Sequence, residues 1–139
     1  MSDEAIGYIL INQFIAQSDK YPSVEFIDAG TGGISILHLI AGRKKAVLID
    51  CAYMGTAPGT IKKFRPDEVE SLKKLAHHSL HESDMLKVIE LAKQLDYCPQ
   101  QVIILGIQPE RVGVGQKLSE TLSAKMNDYI AAISQELTL

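Results

Sequence analysis

Lys44-Lys45-Ala46-Val47-Leu48-Ile49-Asp50 runs from a charged pair through four consecutive core-forming side chains to an aspartate. An unbroken apolar run of this length, not an alternating one, is expected of a strand covered on both faces. Gln101–Gly106, with Val102, Ile103, Ile104 and Leu105 in succession, reads as a second strand of the same kind. Helical patterns lie before, between and after these runs. Strands that alternate with helices predict an α/β fold, a three-layer sandwich in which a mainly parallel twisted sheet carries helices on both faces.

Working outward, Ala5 to Ile15 is apolar around nearly the whole helical circumference, through Ile6, Tyr8, Ile9, Leu10, Ile11, Phe14 and Ile15. Periodicity alone leaves Tyr8–Ile11 open to a strand reading. Helix is preferred, because Ser2 and Asp3 suit an N-cap and Asp3 and Glu4 suit the positive helix end. So apolar a helix predicts deep burial. Val24–Asp28 reads as a short strand closed by Ala29-Gly30-Thr31-Gly32-Gly33, Ile34 to Ile40 as a short helix ending at Gly42, and Gly59–Phe64 as a more exposed strand. Ser79-Leu80-His81-Glu82 has the capping-box form and opens a helix with stripe Met85, Val88, Ile89, Ala92 and Leu95. Ser119 caps a last helix with stripe Leu122, Met126, Tyr129, Ile130, Ile133 and Leu137.

At 139 residues the chain suits a single domain, 1–139, with no internal repeat or linker. An apolar fraction of 46%, a charged fraction of 22% and a net charge of −3 argue against a nucleic-acid or anionic-membrane surface. Cys51 and Cys98 form neither a CxxC pair nor a zinc-ligand spacing. No signal-peptide pattern or membrane-length apolar stretch is present, so the expectation is a cytoplasmic protein with reduced thiols.

In open α/β sheets ligands bind beyond the carboxyl ends of the strands, which is where Asp28 and Asp50 fall. Asp50 is a candidate metal ligand or catalytic carboxylate, against the plainer reading of a loop cap. Gly30–Gly33 would suit close substrate approach or anion binding, although a tight turn explains it more simply. It is neither a P-loop nor a dinucleotide fingerprint. His77, His78 and His81 cluster, but no His-Glu-x-x-His is formed. His81 sits at N2 of its capped helix, where the dipole favours a neutral imidazole able to bind a metal. Glu4 taken alone is explained by its own helix dipole. Together Glu4, Asp50 and His81 make two carboxylates and an imidazole, a set suited to a borderline divalent cation. Cys51, pointing opposite to Asp50, reads as a buried structural thiol.

The segments Asp3-Glu4-Ala5-Ile6-Gly7, Asp28-Ala29-Gly30-Thr31-Gly32-Gly33, Ile49-Asp50, Ala57-Pro58-Gly59-Thr60, Ser79-Leu80-His81 and Gly106-Ile107-Gln108-Pro109-Glu110 with Leu118-Ser119 stand in one order and spacing. In these the chain resembles the hydrogenase maturation proteases, from Asp3 to about Ser119. The resemblance implies an aspartic-type endopeptidase that removes the C-terminal extension of a nickel–iron hydrogenase large-subunit precursor after nickel insertion. It implies Glu4, Asp50 and His81 as the nickel-recognition site, with nickel contributed by the substrate, and no organic cofactor. Asp28 and Asp50 would be the carboxylates to test as general base. The family's opening strand and Gly-x-Gly-Asn-x-Leu loop have no counterpart before Asp3, so a sheet lacking its first strand is expected. That departure motivates an alternative expectation: a non-catalytic metal- or peptide-binding module that keeps the recognition surface without turnover.

Overall fold

The structure, a computed structural model, describes residues 3–28, 38–66, 93–96, 98–110 and 117–137, with the backbone but not the side chain of Glu4. Among the described residues three strands form one sheet: β1 (Lys45–Cys51), β2 (Ile61–Phe64) and β3 (Gln101–Ile107), in the order β1-β3-β2. β1 runs parallel to β3 in the register Ala46 to Val102 through Asp50 to Gly106, and β2 runs antiparallel to β3. The fold is mixed α/β. By paired length the sheet is mostly parallel, as the two apolar runs implied.

Side chains alternate between the two faces of each strand. One face carries Val47, Ile49, Cys51, Ile103, Leu105 and Ile107, and against it pack α1 (Ile6–Ala16), α2 (Glu120–Ala124) and α3 (Met126–Leu137). Ile6, Leu10 and Phe14, four residues apart, are the buried stripe of α1, while Leu122, Tyr129 and Ile133 come from the C-terminal helices. The opposite face holds a smaller cluster of Leu48, Ile104, Phe64, Val102, Met54 and Cys98. The described helices therefore cover one face. The helix expected from Ser79 falls almost entirely outside the described residues, as do Gly30–Gly33, His77 and His78.

Four local expectations are corrected. Val24–Asp28 is not a strand: Phe26 stacks on Phe14 at 5.4 Å and meets Tyr21 edge-on at 5.8 Å, so ring packing and not ladder hydrogen bonding holds this segment. α1 is buried along one stripe only, with Tyr8 55% and Ile15 42% exposed, because the sheet touches a single side of it. Asp3 does not cap α1, whose N-cap position is Ala5 without a side-chain bond. The last helix is interrupted at Lys125, whose amide bonds back to the Leu122 carbonyl at 3.0 Å in a tightened turn. The Cys51 reading holds: the thiol is buried in the larger cluster.

Two polar arrangements tie the helical layer to the sheet. Glu136 near the end of α3 meets Lys63 of β2 at 2.9 Å and Lys45 of β1 at 3.3 Å. The Lys63 and Lys45 ammonium groups hold its carboxyl below the usual carboxylate range. Tyr129, fully buried, donates its hydroxyl to the Gly59 carbonyl at 2.6 Å. Burial, with the negative charges of Asp3 and Asp128, pushes that phenol up to about 12. A raised phenol pKa means that the unfolded chain loses its proton first, so this contribution is complete below pH 10 and is lost as pH rises from 10 to about 12. The shift corresponds to about 2–3 kcal/mol. Tyr129→Phe should therefore flatten the alkaline limb of a urea-unfolding stability profile over that window. An unchanged limb would remove Tyr129 as its cause.

Candidate functional site

Asp50 is the penultimate residue of β1, where the strand leaves the sheet at its carboxyl end. Its side chain is half-buried, with Oδ2 withdrawn from solvent. Alternation puts it on the face opposite Ile49 and Cys51, level with Gly106 of β3 and, one strand further, Lys62 of β2. The neighbour across the ladder thus has no side chain. A Cβ built at Gly106 would lie 2.9 Å from the Met54 sulfur and 3.3 Å from the Ala52 Cβ, both in the loop that follows Asp50. Gly106 lets this loop fold back over the sheet beside the carboxylate. Gly106→Ala must displace Met54 and Ala52, and should cost about 1–2 kcal/mol in chemical unfolding. Wild-type stability in that variant would show that the close approach is not needed.

The loop after β1 is fastened by Gln108. The Gln108 side-chain oxygen accepts from the Met54 amide at 2.6 Å and from the Thr56 hydroxyl at 3.4 Å. Its backbone closes the same loop, the amide donating to Thr60 O at 2.9 Å and the carbonyl accepting from the Gly59 amide at 2.8 Å. A buried glutamine immediately after the apolar run of β3 is the signal that could have disclosed this role.

Glu4 belongs to a single 3-10 turn, Asp3–Ala5, that leads into α1. This turn lies against β1. Just beyond it Gly7 crosses β1 so closely that a Cβ there would stand 3.2 Å from the Ile49 carbonyl oxygen. The chain position of Glu4 is thereby brought beside the strand end that carries Asp50. His81 and the side chain of Glu4 lie outside the described residues. Among the described residues no group of three His, Cys, Asp or Glu side chains forms a metal cluster. Asp28 is exposed at the end of the Phe26 segment.

Asp3, read in the sequence as a helix cap, has another role. Its carboxylate is fully buried. Oδ1 accepts from the Ser119 amide at 2.7 Å, and Oδ2 accepts from the Ser119 hydroxyl at 2.9 Å and the Glu110 amide at 2.8 Å. The Ser119 hydroxyl in turn accepts from the Leu122 amide at 3.3 Å as the N-cap of α2. Serine suits this place because it caps and donates at once. An aspartate would cap but could not donate to Asp3.

A family model described as hydrogenase maturation protease matches residues 9–136. The chain belongs to the hydrogenase maturation protease family. Among curated relatives of this family, the hydrogenase expression/formation protein HoxM of Cupriavidus necator is 27% identical over 130 residues, covering 93% of this chain and 64% of that protein. HupD of Rhodobacter capsulatus is 28% identical over 138 residues, 98% of this chain and 65% of its own length. The chain thus spans just under two thirds of the length of these two relatives. The hydrogenase maturating endopeptidase HybD from Escherichia coli superposes with a TM-score of 0.84 at 24% identity, covering 99% of this chain and 85% of that one, a likeness of fold. No helix among the described residues is long and apolar enough to cross a membrane.

Proposed function

We propose that this chain is a cytoplasmic endopeptidase that removes the C-terminal extension from the large-subunit precursor of a nickel–iron hydrogenase once nickel has been inserted. Family membership supports the reaction class. The single observation that supports the site is the docking of the Glu4 turn against the carboxyl end of β1, which brings the chain positions of two of the three proposed ligands into one neighbourhood. Two carboxylates and an imidazole suit a borderline divalent ion such as nickel, here part of the substrate. Glu4, Asp50 and His81 would report that the precursor is loaded, and so restrict cleavage to finished substrate.

The hydrolytic step needs a base to take a proton from the attacking water while the peptide carbonyl becomes tetrahedral. The amine then leaves with a proton and a new C-terminal carboxylate remains. Of Asp28 and Asp50, the half-buried Asp50 stands at the carboxyl end of β1 beside the Glu4 turn and is the carboxylate proposed as base, whereas Asp28 is exposed to water. Incubation of the purified chain with nickel-loaded precursor should yield a shortened product with a new C-terminus by intact-mass measurement. Precursor bound but left at full mass would instead favour the non-catalytic binding module.

A further inference from the structure

Glu4 follows a residue whose environment is unlike that of any other described acid. Among the described residues Asp3 is the buried charged side chain, with no solvent exposure, and both of its oxygens receive hydrogen bonds from the protein. We propose that Asp3 is a positioning residue for the metal-recognition site: its carboxylate fixes the turn that carries Glu4, and through that turn the reach of Glu4 toward nickel. This inference rests on the reading of Glu4 as a nickel ligand.

Three features carry it. First, α1 has no side-chain cap, so its own first turn does little to hold the Asp3–Ala5 turn in place. The restraints come from outside: Asp3 bonds Ser119 and Glu110 on one side of Glu4, and Gly7 abuts the Ile49 carbonyl on the other. Glu4 lies between two anchors. Second, among the described donors to Asp3 are two backbone amides, of Ser119 and Glu110, which hold their direction without side-chain freedom. A planar carboxylate gripped at both oxygens also has its rotation fixed. Third, the donors already on its oxygens make Asp3 a poor metal ligand, although a neighbouring acid in the same motif could otherwise compete with Glu4. The first carboxylate of the motif is thus spent inward on protein donors.

A purely structural role for Asp3 would lower stability without acting through Glu4, and a double-mutant cycle separates the two cases. Nickel chloride is titrated calorimetrically into the full chain and into Asp3→Asn, Glu4→Gln and the double variant, at a temperature where circular dichroism finds all four folded. Glu4→Gln should weaken Ni2+ binding about tenfold or more, and Asp3→Asn should weaken it comparably while leaving Glu4 in place. In the Glu4→Gln background Asp3→Asn should have no further effect. Additive losses, or unchanged nickel affinity in Asp3→Asn, would overturn the positioning role and leave the metal reading intact. Unchanged affinity in Glu4→Gln, or no nickel binding by the unaltered chain, would overturn the metal reading and this inference with it. If Asp3→Asn does not fold, Ser119→Ala takes its place in the cycle, since it removes one donor and leaves both amides; the same non-additivity with Glu4→Gln is expected.

Discussion

Asp50→Asn is expected to abolish precursor cleavage, lowering the rate by at least about 10²–10⁴-fold if Asp50 serves as general base. The substitution is nearly isosteric, so the strand and its register to Gly106 should persist. The amide cannot accept a proton from water and is a far weaker metal donor than a carboxylate. Asp50 also stands where the sheet ends and the Gln108-fastened loop begins, and an amide of the same size fits the same space. The measurement is single-turnover cleavage of nickel-loaded precursor, with circular dichroism as the folding control. Near-wild-type turnover would remove Asp50 from the site. The companion variants Glu4→Gln and His81→Ala extend the same test to the other two expected ligands.

Asp3→Ala should have the largest effect on stability, a loss of about 3–5 kcal/mol, because it leaves buried donors at Ser119 and Glu110 without their acceptor. Each hydrogen bond to a charged acceptor contributes about 1.5–3 kcal/mol, and a stranded amide costs more than the bond alone would suggest. For a domain of this size the melting temperature should fall on the order of 10 °C. A drop of only a degree or two would mean that water replaces the carboxylate at no cost, and that the two segments are held by other means.

The parts of this fold that are legible in sequence are those in which one stretch settles its own fate. β1 and β3 appear as unbroken apolar runs, and the structure pairs them in parallel. Ser119 reads correctly as a cap because its partner, Leu122, is three residues away. Legibility fails where the deciding partner is remote. Asp3 looks like a helix cap until Ser119 and Glu110, 116 and 107 residues on, supply its donors. Val24–Asp28 has the composition of a strand, but Phe26 finds Phe14 and Tyr21 before any strand finds its backbone. The break at Lys125 is invisible in a continuous helical stripe; there the chain around Gly59 presses against Thr121 and Lys125, with a Cβ at Gly59 only 3.0 Å from the Thr121 methyl. For the candidate site, Asp50 and Glu4 read as acids at element ends, and the backbone of the Glu4 turn lies beside β1 because Gly7 abuts Ile49. Gln108 was legible as part of a motif but not as the fastening of the loop after Asp50.

On the proposed reading Glu4, Asp50 and His81 bind one divalent cation. The most direct measurement is anomalous diffraction at the nickel edge from crystals of the chain soaked in Ni2+. One dominant anomalous peak bonded to all three side chains is expected. A peak held by other residues, or the three side chains resolved on separate surfaces with nickel absent between them, would contradict it.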